Sequence, residues 1–299
     1  MALGGRWVRS TATGAVVVAL LLAGCSRSDE PSRGTKVRAV EEVRLGDVTT
    51  VRVGGHRFAT RCAGETDLPT VLLVAAEGRP MAAAWSTVQG RIGAFARVCA
   101  YDRLGVGRSG RPPAAQTFVD MAADLRGVVE RLEMTTPVVL VGQSLGGMLT
   151  ATVAARDPDL VAGLLLLDAA GPGYPEAVLD RLPSTGRHGA KERRTWSALQ
   201  SPAQNPERLA GQRAFAEVAS LDLPDGVPLV VLTHSIPEHP RSTSPRQQAD
   251  LESAWEAGQN RWLGLSGAGR LERVDLAGHD IAADQPAVVV DRVRELLPG

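Results

Sequence analysis

Short apolar runs rich in β-branched residues recur along the chain, each bounded by Gly, Pro or charge. They predict eight strands, near 48–53, 57–61, 70–75, 97–101, 138–141, 164–167, 227–233 and 271–275. From residue 70 onward these runs alternate with segments whose apolar positions recur at helical spacing, near 85–95, 118–133, 145–156, 246–263 and 286–297. Such alternation predicts an α/β protein with a mostly parallel sheet and helices on both faces. The segment 171–225 breaks the rhythm. It carries several prolines, short amphipathic pieces at 190–199 and 207–221, and no strand. It is expected to form an inserted helical cap that shapes a pocket over the strand ends and excludes water. The core is therefore expected in two parts, 40–170 and 226–299.

The N-terminus has a different pattern. Arg6 and Arg9 precede an apolar stretch from about Ala12 to Leu22, which ends Leu22-Ala23-Gly24-Cys25. A basic start, a short apolar core and small residues describe a signal peptide over 1–24. That core is shorter than the roughly 20 residues a membrane-spanning helix needs. Leu-Ala-Gly-Cys resembles the bacterial lipoprotein signal, which implies lipidation of Cys25 and export to the outer face of the bacterial membrane. Residues 25–39, rich in Ser, charge, Pro31 and Gly34, suit a flexible tether.

Charge narrows the partners. The chain has 33 basic and 33 acidic residues, and loss of the leader's two arginines leaves a slight acidic excess. Nothing in this balance suggests nucleic acid. Two cysteines remain, Cys62 and Cys99, each at the end of a predicted strand. Export would place them where disulfides persist, so a Cys62–Cys99 bridge is expected.

The chemistry concentrates around Gly142-Gln143-Ser144-Leu145-Gly146. An apolar strand precedes it and a helical pattern follows, the order required for a serine raised on a tight strand-to-helix turn. Glycines two residues to either side permit the close approach such a turn demands. The following helix directs N–H groups at the same spot, making the Leu145 N–H a candidate oxyanion donor. The best of five histidines to act as base is His279, in Leu276-Ala277-Gly278-His279-Asp280 after the last predicted strand. His56, His188, His234 and His239 are read as ordinary polar positions, although His234 directly follows a strand. Asp280 is expected to face away. No histidine or cysteine pairing has metal-ligand spacing, so neither a metal nor a cofactor is assigned.

The elbow, the His279 loop and Tyr101-Asp102-Arg103-Leu104-Gly105-Val106-Gly107-Arg108-Ser109 together resemble the α/β-hydrolase family, over essentially everything from residue 40 onward. The resemblance implies an acid after the seventh strand or at the end of the sixth. Glu238 is the only acid near the first position; Asp168, ending Leu164-Leu165-Leu166-Leu167, occupies the second and is favoured. The family's His-Gly-x oxyanion loop is replaced by Ala75-Ala76-Glu77, so the backbone N–H of Glu77 is the implied second donor. A serine nucleophile disfavours those relatives that attack through aspartate.

The resulting expectation is a serine hydrolase acting on a small-molecule carboxylic ester through Ser144, His279 and Asp168 or Glu238. An acyltransferase or peptidase could use the same triad, and a lipid-anchored binding protein with a decayed site is the reading from another class. Trp196, Leu199 and Phe215 could line an apolar pocket, with packing inside the cap as the simpler role. Trp85 and Trp255 are assigned to helix-to-sheet packing. Oligomeric state and natural substrate leave no mark in the sequence.

Overall fold

The computed structural model describes residues 42–182, 189–238 and 243–298. Cys25, its leader and the tether to residue 39 lie outside the described residues, as do His188 and His239. Eight strands form one sheet: β1 (Thr49–Val53), β2 (His56–Ala63), β3 (Thr70–Val74), β4 (Arg97–Tyr101), β5 (Val138–Gln143), β6 (Val161–Leu167), β7 (Leu229–His234) and β8 (Gly269–Val274). Their spatial order is β1-β2-β4-β3-β5-β6-β7-β8. β1 and β2 pair antiparallel, as do β2 and β4, and every later pairing is parallel.

The central strands read as uninterrupted apolar runs because both their faces are covered. β3 and β5 are buried at every position. One face is packed by α3 (Phe118–Arg131), α4 (Leu145–Arg156) and α8 (Pro245–Gly264), the other by α1 (Met81–Ala84), α2 (Gln89–Gly93), α9 (Ile281–Asp284) and α10 (Pro286–Leu296). The helix expected at 85–95 is thus two short helices. Pro80 starts the first early, and Gly90 of the second lies against the chain at Val43, whose N–H donates to the Gly90 carbonyl at 3.0 Å. Trp85, between the two helices, is fully buried, as expected for packing.

Between β6 and β7 the chain forms α5 (Tyr174–Arg181), α6 (Gly189–Gln200) and α7 (Gly211–Ala219). The first was not anticipated. The helix expected from 207 starts at Gly211 instead, because Glu207 is drawn inward and Arg208 takes a positive φ of 50°. Both ends of this excursion are fastened. At its start, Gln259 Nε2 donates to the Ala169 carbonyl (2.8 Å) and Arg261 Nη1 to the Pro172 carbonyl (2.7 Å). Gly171 lies so near Gly258 that a Cβ on it would come within 2.2 Å of the Gly258 Cα. Between α6 and α7, Gln116 N–H donates to the Arg208 carbonyl (3.0 Å) and Ala210 N–H to the Gln116 carbonyl (2.9 Å), and near its end Leu223 N–H donates to the Leu265 carbonyl (3.2 Å).

Cys62 and Cys99 face each other in the β2–β4 register and form a disulfide, as expected. No helix among the described residues is long and apolar enough to cross a membrane.

Candidate active site

β5 ends at Gln143, and Ser144 turns the chain into α4 with φ 52° and ψ −119°. A non-glycine residue adopts this geometry only where its surroundings impose it. Here the glycines impose it. A Cβ at Gly146 would fall 2.2 Å from the Val74 carbonyl oxygen, and one at Gly142 would fall 2.4 Å from Thr150 Oγ1. The elbow is closed by Ser144 N–H donating to the Leu167 carbonyl (3.1 Å) and Gly147 N–H to the Ser144 carbonyl (2.9 Å).

Asp168 follows β6 at φ 44°, completely buried. His279 Nδ1 lies 2.7 Å from its Oδ2. Glu238 approaches the same histidine differently: its Oε1 accepts the backbone N–H of His279 at 3.3 Å, not the imidazole. Of the two acids the sequence offers, Asp168 is the one on the ring. The His279 loop is held by Gly278 N–H donating to Asp284 Oδ2 (2.8 Å) and by the Ser235 and Ile236 N–H groups donating to the Ala277 carbonyl (both 3.0 Å).

Three sequence readings are corrected at this site. His234 is no ordinary polar position: it is buried at the end of β7, with Nδ1 2.9 Å from both oxygens of Asp168 and its backbone N–H donating to Oδ1 at 3.1 Å. Its position directly after an apolar strand, level with Asp168 one strand away, was the available signal. Trp255 does more than join helix to sheet. Its Nε1 donates to Thr233 Oγ1 (3.2 Å), and its ring stands edge-on to His279 with centroids 5.9 Å apart. Asp280 does not face away, since it pairs with Arg79 Nη1 (2.6 Å) and accepts from Gln143 Nε2 (3.2 Å).

Two chambers meet at Ser144. One, of about 230 Å³, is lined by Asp168, His279, His234, Glu238, Glu252 and Trp255. The other, of about 150 Å³, is lined by Glu77, Leu145, Met148, Trp196, Leu199 and Phe215. The last three therefore line a pocket while also packing the cap, where Trp196 and Phe215 have ring centroids 6.1 Å apart.

Electrostatics divide the two sides. Burial would raise the Asp168 pKa, but hydrogen bonds from His234 and His279 outweigh it and hold the carboxyl below its ordinary value. Burial opposes the charged form of His279, yet its bond and attraction to Asp168 prevail, then Glu238, so the imidazole pKa is raised. Glu77 is half-buried. Burial and then repulsion by Glu207 push its carboxyl up, against the pull of Arg103. Its loop is braced from beneath. Arg103 Nη1 and Nη2 donate to the Ala75 and Ala76 carbonyls (2.6 and 3.0 Å), its Nε and Nη2 grip Glu207 (2.7 and 2.8 Å), and Gly78 N–H donates to the same carboxylate (2.8 Å). The backbone N–H groups of Glu77 and Leu145 meet no acceptor among the described residues.

The Asp102 turn is structural. Asp102 accepts from Met81 N–H (2.7 Å) and Arg108 N–H (2.9 Å), and Ser109 Oγ donates to its carbonyl (2.6 Å).

Comparison with known proteins agrees with this architecture. A family profile described as the alpha/beta hydrolase fold matches residues 93–193. A haloalkane dehalogenase of Bradyrhizobium diazoefficiens is 27% identical over 184 residues, covering 60% of this chain and 57% of the relative. The chain thus spans little more than half of that relative's length. Among solved structures, a hydrolase from Pseudomonas aeruginosa aligns with a TM-score of 0.58 at 20% identity, over 85% of this chain and 99% of the other. The enol-lactonase from Burkholderia xenovorans aligns with a TM-score of 0.55 at 18% identity, over 83% and 99%. The chain has the α/β-hydrolase fold.

Proposed function

We propose that the protein is a serine hydrolase that cleaves small-molecule carboxylic esters through an acyl-enzyme. The observation that carries this reading is Ser144, held at a positive φ on its elbow, sharing one chamber with a histidine whose Nδ1 is 2.7 Å from a buried aspartate. In the proposed cycle Ser144 Oγ attacks the ester carbonyl carbon, and its proton passes to His279 Nε2. Asp168 holds the other ring nitrogen and stabilises the imidazolium. The carbonyl oxygen, now negative, is received by the free N–H groups of Leu145 and Glu77. Collapse expels the alkoxide, which takes its proton from His279, and water then repeats the sequence to release the acid.

The altered oxyanion loop is compatible with this cycle. A Glu77 carboxyl whose pKa is raised by burial and by Glu207 resists ionisation, so it opposes the developing oxyanion less than an ordinary carboxylate would. Serine at the elbow also argues against carbon–halogen cleavage, the activity in the name of the dehalogenase relative. We further propose that Cys25 carries a lipid and that the domain works on the outer face of the bacterial membrane; the disulfide suits an oxidising compartment. Palmitate labelling lost in Cys25→Ala tests that part.

The catalytic reading is tested with a fluorophosphonate probe and short nitrophenyl esters. The protein should label, and Ser144→Ala should abolish both labelling and turnover. Turnover that survives the substitution would sink the reading, as would a folded protein that never labels.

A further inference from the structure

His234 is a second imidazole on the carboxylate that already holds His279. Its Nδ1 is 2.9 Å from Asp168 Oδ2, and His279 Nδ1 is 2.7 Å from that same oxygen, so one oxygen is shared. Asp168 also accepts the His234 backbone N–H (3.1 Å) and Thr233 Oγ1 (3.2 Å). A carboxylate only accepts, so His234 Nδ1 must carry a proton. The opposite nitrogen, Nε2, faces the Glu252 carboxylate at 3.4 Å. A neutral imidazole protonated at Nδ1 would turn a lone pair toward that second anion. Protonation of both nitrogens removes the conflict, and the pKa agrees: burial lowers it, but bonding to Asp168 and then attraction to Glu252 raise it overall.

We propose that His234, as an imidazolium between Asp168 and Glu252, is a positioning residue that sets the pH at which His279 becomes free to accept the Ser144 proton. The inference rests on the serine hydrolase reading. A buried carboxylate bonded to one histidine alone holds that histidine's proton tightly, and an over-stabilised imidazolium cannot act as a base at neutral pH. A cation on the same carboxylate oxygen takes up part of the Asp168 charge and repels a proton on His279. The two Nδ1 atoms are no farther apart than their two short bonds to Oδ2 laid end to end.

Among the described residues, charged groups face His234 from several elements. Asp168 comes from the loop after β6, Glu252 and Glu256 from α8, Arg273 from β8, Glu238 from the loop after β7, and His279 from the loop after β8. Arg273 Nη2 lies 3.5 Å from Glu252 Oε1, while Glu238 is occupied with the His279 backbone. Among the described residues, Asp168 is thus the only carboxylate bonded to both rings.

The test is the pH profile of fluorophosphonate labelling for wild type and His234→Gln. The acid limb should move upward by about one pH unit in the variant. Labelling at pH 6 should then fall severalfold relative to pH 8.5. An unmoved limb overturns the proposal, and so does a loss of equal size at every pH, which is what a merely structural role would give. The His279 imidazole is titrated by NMR in parallel. If wild type labels at no pH, the hydrolase reading fails, yet an upward shift of the His279 titration in His234→Gln still supports the coupling and an unchanged titration refutes it. Should His234→Gln not fold, Glu252→Gln serves instead: it lets His234 lose its proton at lower pH, so the limb should again move upward, and no movement counts against the proposal.

Discussion

Replacing Glu207 by alanine should be the most damaging single change outside the chamber that holds His279. Glu207 and Arg103 are 2% and 4% exposed, and they are joined through Nε and Nη2 at 2.7 and 2.8 Å. Removing the carboxylate leaves a buried guanidinium whose hydrogen-bond partners among the described residues are the Ala75 and Ala76 carbonyls, and it frees the Gly78 N–H. Breaking a buried pair by deleting one partner costs about 3–5 kcal/mol, whereas Gly78 is exposed and its freed N–H can turn to water. A loss of about 4 kcal/mol is expected. Urea unfolding followed by tryptophan fluorescence at pH 7 reads it as a lower midpoint with an unchanged slope. The paired variant Arg103→Met with Glu207→Leu should recover at least half, because it leaves no charge unpaired. Gly78 adjoins Glu77, so under the proposed function kcat for ester hydrolysis in Glu207→Ala should drop about tenfold or more at temperatures where the variant is fully folded. A destabilisation below about 1 kcal/mol, or a double variant no better than the single one, would refute the reasoning.

Asp168→Asn should reduce kcat by about four orders of magnitude, by analogy with the loss of the orienting acid in serine proteases, while Glu238→Gln should stay within a few-fold, since among the described residues Glu238 hydrogen-bonds to the His279 backbone and not to its ring. The reverse ranking, read from ester hydrolysis at saturating substrate, would transfer the role to Glu238. Reducing the Cys62–Cys99 bond, which closes a separation of 37 residues, should lower the unfolding free energy by roughly 3–4 kcal/mol in the chain-entropy estimate; unfolding curves with and without reductant measure it. The Asp124 carboxyl is raised to about 6, chiefly by burial and then by Asp120, against the opposing pull of His56. The unfolded chain loses this proton near its ordinary value of 3.8, so the folded state binds more protons between there and about 6, and stability falls as pH rises through that window. Asp124→Asn should therefore be neutral at pH 4 and gain roughly 1 kcal/mol at pH 7.5, a figure discounted for partial solvent screening. Equal stability at both pH values would contradict it.

Local signals carried most of the architecture. Val138–Gln143 and Leu145–Arg156 could be placed because a doubly buried strand and the helix after it each repeat one pattern over many residues. Ser144 was legible for the same reason, since its glycine spacing is a steric demand. What escaped was non-local. Glu207 resembles any charged residue at the start of a helix until Arg103, distant in sequence, is brought beneath it. His234 resembles a polar residue ending a strand until β6 and β7 pair and set it beside Asp168. The choice between Asp168 and Glu238 stayed open at the sequence level because both loops can reach one imidazole. α5 was missed because Pro172, Gly173 and Pro175 read as loop residues, although Pro175 lies in the first turn of the helix, where its missing N–H costs nothing.

The fastening of the cap at both ends separates two problems that a catalyst must solve together. At the start of the excursion, two backbones cross with no room for a side chain at Gly171; before α7, Gln116 clasps the segment beside Glu207, and near the end Leu223 N–H holds to the Leu265 carbonyl. Within that frame, Tyr174, Trp196 and Leu199 face the chambers on short helices whose fixed points lie elsewhere. In the proposed hydrolase, selectivity is thereby uncoupled from the reactive centre: exchanging the side chains of α5 and α6 can reshape what is admitted while Ser144, His279 and Asp168 keep their bearings.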